Sequence, residues 1–308
     1  MKKTDDRDLD PEDLLGKGYV VVDKPPGPTS HEVVSWVKEM VGVEKAAHTG
    51  TLDPGVTGCL PVLLGKSARV SGLFRGADKE YVFVLRLHGD TYEKRVGEVF
   101  DEFEGEIYQR PPKKSSVRRR VRTREIESLD VLETDLGDNE DNDGDGDGRR
   151  ILGRVRCGAG TYIRKLCHDI GLALGTGGHM EELRRTASGG FCVEDAVYLQ
   201  DLSDSLHLWR EEGDETELRR IVEPLEDVLL AKYPAVEITD EAVAAVAHGA
   251  PVYEPGVVAV SQEVDDGDTA VAVSGDGEAV CVGKVRKDDV FLEPDHVVVD
   301  ADGYGKIW

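Results

Sequence analysis

"GYVVVDKPPGPTSHEVVSWVKEMVGV", residues 18 to 43, changes its period halfway. Its opening reads as a strand, the Pro- and Gly-rich centre as a turn, and the remainder as a helix. Thr29 can cap that helix, and Glu32, three residues on, completes a capping box. Val33, Val34, Val37, Met40 and Val41 recur at helical spacing, so that face belongs to a core. A single strand–turn–helix unit does not choose a fold; the stretches around it do.

Residues 79 to 89, "KEYVFVLRLHG", alternate cleanly: Tyr81, Phe83, Leu85 and Leu87 point one way, Val82, Val84, Arg86 and His88 the other. That is a strand. "ILGRVRCGAGTYIRKLCHDIGLALG", from residue 151, is a strand, a glycine turn and a helix with Ile163, Leu166, Cys167 and Ile170 as its buried stripe. Strands and helices mix without strict alternation, which predicts an α+β domain with a mixed or antiparallel sheet. The charged region 201 to 220 reads as surface helix or linker. From about Lys232 the composition shifts. "EITDEAVAAVAHGAPVY" predicts a short helix ending at Gly249, followed by short Val-rich strands in "GVVAVSQ", "DTAVAVS" and "EAVCVGKV". These predict a small β-barrel of about 70 residues.

A chain of 308 residues is long enough for two domains with cores of their own. It carries 62 Asp/Glu against 38 Lys/Arg, a formal charge of -24. Such a surface repels phosphates and argues against nucleic acid, unless the surplus is an adaptation to molar salt. The two cases differ in distribution, because a salt-adapted RNA binder keeps a local basic island. The five scattered cysteines form no CxxC pair and fit reduced thiols in a cytosol, so the chain is expected to be cytoplasmic. The N-terminus has no signal-peptide core, and no run of eighteen apolar residues exists to span a membrane.

Two stretches depart from the background in opposite directions. Residues 108 to 124, "YQRPPKKSSVRRRVRTR", hold eight Lys/Arg and no Asp/Glu. Pro111 and Pro112 forbid a regular helix there, which leaves a projecting loop or hairpin whose Lys113, Lys114, Arg118, Arg119 and Arg120 can reach phosphates. Arg184 and Arg185 either add to this island or cap carbonyls at a helix end. Residues 133 to 147, "ETDLGDNEDNDGDGD", hold eight Asp/Glu and no Lys/Arg and read as a solvated or disordered loop. "DNDGDGDG" resembles a calcium loop only superficially, since the closing Glu and the flanking helix pair are missing.

"HTGTLDPGVTGCLPV", residues 48 to 62, holds one carboxylate, Asp53, among turn-forming residues. Gly50, Pro54 and Gly55 suit a rigid backbone that a substrate approaches closely. Read alone, Asp53 is a turn former as readily as a nucleophile.

"DKPPGPTSHEVV", "HTGTLDPGVTGCLPVLLGKSAR", "KEYVFVLRLHGDT", "YQRPP" and "GAGTYIRKL" together resemble the TruB family of pseudouridine synthases, closest to its archaeal branch, the catalytic subunit of H/ACA ribonucleoproteins and homologue of dyskerin. The tail from about 232 resembles a PUA domain. The resemblance implies isomerisation of uridine in RNA, the glycosidic bond moving from N1 to C5, with neither cofactor nor metal. It implies a catalytic domain over 14–230 with a basic RNA-contacting loop (108–124) and a PUA domain over 231–305, while the polar residues 1–13 read as a disordered N-terminus and the acidic run (133–148) as an insertion.

By the same resemblance Asp53 is the catalytic aspartate, Arg164 its ion-pair partner and Tyr81 the active-site tyrosine. His48 helps to extrude the target nucleotide, Tyr162 and Leu183 line the pocket, and Lys24, Pro25 and Gly50 belong to supporting motifs. The aspartate's route stays open between attack on the base, attack on C1′ and assistance to a glycal. The implied substrates are rRNA and tRNA, with an H/ACA guide RNA and small partner proteins. A stand-alone enzyme acting on tRNA uridine 55 and a catalytically silent RNA scaffold are the alternatives. After "QRPP" the archaeal branch carries apolar residues, whereas Lys113 and Lys114 stand here, so this loop would grip RNA more by charge.

Overall fold

β-branched runs bounded by Gly and Pro become strands here, and their alternation decides which layers cover them. The structure, a computed structural model, describes residues 9–111, 120–136, 149–286 and 290–301. Among these, ten strands make the larger sheet: β1 (Gly18–Lys24), β2 (Ala46–His48), β3 (Thr57–Leu64), β4 (Lys79–Leu87), β5 (Gly105–Gln109), β6 (Arg122–Asp135), β7 (Arg150–Cys157), β8 (Gly178–Ser188), β9 (Phe191–Cys192) and β10 (Glu223–Pro224). The order is β10-β1-β3-β8-β4-β7-β6-β5, with β2 beside β3 and β9 beside β8. The sheet is mixed: its named pairs are antiparallel except β3 with β8, which run parallel at Thr57–Arg184 and Gly58–Arg185. Gly58 sits at φ +96°, and a Cβ there would fall 2.2 Å from the Arg185 carbonyl oxygen. Only glycine lets the two strands close at that point.

Helices cover the sheet on both sides. They are α1 (Pro11–Lys17), α2 (Ser30–Val41), α3 (Ser71–Arg75), α4 (Glu93–Glu102), α5 (Ile163–Ala173), α6 (Leu199–His207), α7 (Thr216–Ile221) and α8 (Leu225–Leu230). The Thr29–Glu32 capping box of α2 is present on both sides, with Gly42 in the left-handed conformation ending the helix. Val33, Val37 and Val41 are buried as the spacing predicts, while Val34 and Met40 pack on the rim of the same core. α5 buries the predicted stripe of Ile163, Leu166, Cys167 and Ile170. β1 explains its own unbroken apolar run. Val20 and Val22 enter the core beneath α2, and Tyr19 and Val21 enter the core on the other face.

That second core is shared with the C-terminal domain. Here α9 (Asp240–Ala247) accompanies strands β11 (Ala235–Ile238), β12 (Val252–Tyr253), β13 (Val257–Val260), β14 (Thr269–Val273), β15 (Ala279–Val285) and β16 (Val290–Val297), in the order β12-β16-β15-β14-β11-β13 and curled into a nearly closed barrel. Ala235, Val271 and Val282 pack with Tyr19, Phe74 and Leu225 of the larger domain. Polar contacts reinforce the seam. Buried Glu226 accepts from the Ala279 amide at 2.8 Å, Arg69 donates to the Val297 carbonyl at 2.8 Å, and Lys17 pairs with Glu278.

Three expectations need correction. The N-terminal stretch expected to be disordered through residue 13 is helical from Pro11, because Asp10 caps the turn and Leu14 and Leu15 anchor it in the core. The acidic stretch begins inside β6, where Glu133, Thr134 and Asp135 pair with Leu152, Ile151 and Arg150; strand pairing outweighs their charge. Arg184 and Arg185 lie on β8, not at a helix end. The rest of the acidic run, 137–148, lies outside the described residues. No described helix is long and apolar enough to cross a membrane.

Candidate active site

A cleft of about 700 Å3 opens where β4 and β8 meet the loop after β2 and the start of α5. It brings together Asp53, Tyr81, Arg164, His48, Tyr162, Leu183 and Gly50, residues drawn from four separate stretches of sequence. The Arg164 guanidinium lies 2.9 Å from the Asp53 carboxylate. Both side chains are about half exposed, 40% and 55%, so the pair adds little to stability; its value is aim.

The loop carrying Asp53 is held from beneath. Lys24 is completely buried and spends all three donors on backbone carbonyls, those of Pro25, Pro54 and Val56, each at 2.9 Å. Burial pulls its ammonium down and the Asp53 charge opposes that. Ser30, in the first turn of α2, donates to the Leu52 carbonyl and accepts from the Leu52 amide. The Gly27 amide reaches the Pro54 carbonyl at 2.9 Å, and the Val56 amide closes a turn onto Asp53 at 3.0 Å. Rigidity therefore comes from Lys24 and Ser30, not from special backbone angles at Gly50 or Gly55, whose φ values are ordinary. Gly50 is needed for room: a Cβ there would sit 3.3 Å from the Arg185 guanidinium. Pro25 contributes its carbonyl to the Lys24 clamp, as scaffold.

The opposite wall is fixed differently. Tyr162 caps α5, and its backbone amide and carbonyl are both held by the buried Gln109 side chain, at 2.9 and 3.2 Å. Arg124 donates to the Gly160 carbonyl at 2.8 Å, so the base of the β5–β6 hairpin props the glycine turn that precedes Arg164. The predicted RNA-contacting residues Lys113, Lys114, Arg118 and Arg119 lie outside the described residues, and Arg120 is exposed near the hairpin tip.

Burial pushes the Tyr81 phenol up, and Arg185 beside it acts in the opposite sense. His48 is packed edge-on against His31, with ring centroids 5.0 Å apart, and its buried Nδ1 has no partner among the described residues. Burial first, then the His31, Arg185 and Arg75 charges, bring His48 from its ordinary 6.5 down to about 4. The folded chain thus keeps this ring neutral where the unfolded chain protonates it. Stability contributed here is intact above pH 6.5 and is lost as pH falls toward 4. His48→Asn is expected to flatten that part of the acid sensitivity, measured as the change in urea midpoint between pH 7 and pH 5.

Two lining cations, Arg75 and Lys79, escaped the reading of the sequence, and a third, Arg185, was read there only as part of a basic island or a helix-end cap. With Arg164 they make four cations against one carboxylate, Asp53. Burial and the Arg185 charge bring Lys79 down to about 8. In the sequence these residues are dispersed, and no charge run marks them. No group of three or more His, Cys, Asp or Glu among the described residues could hold a metal ion.

One carboxylate paired to a guanidinium thus shares a cleft with a phenol and an excess of cations. Three family profiles match in order: TruB family pseudouridylate synthase (N terminal domain) over residues 38–163, tRNA pseudouridylate synthase B C-terminal domain over 164–230, and PUA domain over 234–290. The chain belongs to the TruB family of pseudouridylate synthases, which are RNA isomerases, and carries a PUA domain. It is 46% identical over 306 residues to a probable tRNA pseudouridine synthase B of Methanocaldococcus jannaschii, covering 96% of this chain and 87% of that one. It is 49% identical over 290 residues to the corresponding protein of Haloarcula marismortui, covering 92% and 87%. Among solved structures it is similar to a Cbf5-Nop10-Gar1 complex (42% identity, TM-score 0.84, 97% and 90% covered) and to an H/ACA RNP bound to a substrate RNA containing 2′-deoxyuridine (41%, 0.83, 97% and 90%).

Proposed function

We propose that this pseudouridine synthase acts on a uridine selected in rRNA by an H/ACA guide RNA, with Asp53 as nucleophile. The observation that carries the proposal is the four-to-one excess of cations in the Asp53 cleft of a chain whose net charge is -24. In the reaction the N1–C1′ bond breaks, a C5–C1′ bond forms, C5 loses a proton and N1 gains one. No electrons leave or enter. Asp53 meets the everted nucleoside, and Arg164 keeps the carboxylate ionised and aimed. Tyr81 stacks against the base and serves the proton movement. His48, Tyr162 and Leu183 hold the flipped nucleotide and recover part of the cost of unstacking it. Lys113, Lys114, Arg118, Arg119 and Arg120 reach phosphates beyond the cleft.

Guide dependence accords with the charge. If the acidic surplus marks the cytoplasm of a salt-adapted archaeon, phosphate contacts alone lose most of their worth, whereas base pairing keeps it. The PUA domain then grips the ACA end of the guide, and small partner proteins of the kinds in the similar solved complexes complete the particle. A second reading, guide-free action on tRNA at uridine 55, is favoured by the name tRNA pseudouridine synthase B borne by the curated relatives. Reconstitution in molar KCl separates the two. Product on a guide-matched rRNA fragment only when guide and partners are present supports the first; equal turnover of bare tRNA without guide overturns it.

A further inference from the structure

Arg185 is the largest side chain that the fold buries completely, at 1% exposure, and no described carboxylate pairs with it. Burying a cation without a counterion is costly, so its other contacts must account for it. Nε donates to the Cys59 carbonyl at 2.8 Å, and one terminal nitrogen donates to the Gly50 carbonyl at 3.0 Å. The other terminal nitrogen occupies the space that a side chain at residue 50 would need. In the β4–β8 ladder Arg185 stands directly opposite Tyr81, both line the cleft, and the Arg185 charge acts on the phenol. A guanidinium has donors only. Beside the phenol it therefore favours the ionised oxygen and cannot take the phenol's proton.

We propose that Arg185 is a positioning residue that holds a fixed positive charge beside the Tyr81 phenol and ties that phenol's strand to the Asp53 loop. The inference rests on the reading of Tyr81 as a reacting group. A phenolate beside that charge is stabilised the moment it forms. The other groups facing Tyr81 act against ionisation: Asp53 from its loop and Cys157 from β7. Arg185 is the group on β8 that opposes them. Because the same side chain also holds the Gly50 carbonyl, it ties the tyrosine to the loop that carries Asp53.

The test is a double-mutant cycle in the full chain, with whatever RNA and partners sustain turnover. Arg185→Gln is expected to lower kcat about 10- to 100-fold with KM within about threefold, and to move the alkaline limb of the kcat profile upward by about one pH unit. Arg185→Lys, which keeps the charge and loses the fork, is expected to lower kcat less and keep the profile. In a Tyr81→Phe background the Arg185 substitution should cost less than threefold further. Losses that multiply in the double variant, or an unmoved profile, overturn the proposal and leave Arg185 as a structural clamp only. If the Gln variant does not fold by circular dichroism, the Lys variant carries the cycle with the loss in the Tyr81→Phe background as the sole criterion. Failure of the nucleophile assignment would show separately, as product formation by an Asp53 variant.

Discussion

Asp53→Ala is expected to abolish pseudouridine formation, by at least about 10³-fold, while RNA affinity stays within about threefold. The asymmetry follows from the geometry. Among the described residues Asp53 is the sole acid lining a cleft with four cations, so its removal makes the cleft more attractive to phosphate, not less. It is also half exposed and contributes one ion pair to Arg164, so the fold loses almost nothing. Filter binding at one fixed salt concentration and pseudouridine mapping on the same samples check both halves. A variant that still makes product would remove Asp53 from the chemistry.

Lys24→Met is the second large effect, and it acts on folding as well as turnover. Methionine fills the same volume but strands three carbonyls, those of Pro25, Pro54 and Val56. Leaving them without donors costs roughly 2–4 kcal/mol after partial rescue by water. Two of the three flank Asp53, so the carboxylate drifts. A displacement near 1 Å is enough to lower kcat by about 10²-fold. The expected result is a lower urea midpoint together with a fall in single-turnover rate that persists at saturating RNA. A variant with normal turnover would show that the loop is held without the ammonium.

The fold was legible wherever a period ran long enough. The α2 cap and stripe, the alternation of β4 and the buried face of α5 each depend on spacing within one element, and spacing is local. The meeting of Asp53, Tyr81 and Arg164 at one cleft was legible for another reason, since the short motifs around them together carry the family resemblance. Arg185 and Gln109 were not. Each is a polar residue buried by elements far apart in sequence, and nothing in a linear reading says which carbonyls will surround it. Arg184 and Arg185 illustrate the limit: the pair looks like one basic dipeptide, yet strand alternation sends Arg184 outward to Asp23 and Arg185 into the cleft floor.

The seam between the barrel and the larger sheet has a mechanical consequence. An apolar core crosses it, and Glu226, Arg69 and Lys17 pin it at separate points, so the two parts cannot hinge apart cheaply. An RNA anchored on the barrel therefore meets Asp53 at a set reach. Under the proposed function the protein would measure its ligand as a fixed calliper does, and a strand a few nucleotides too short or too long would itself have to bend, because the jaws do not.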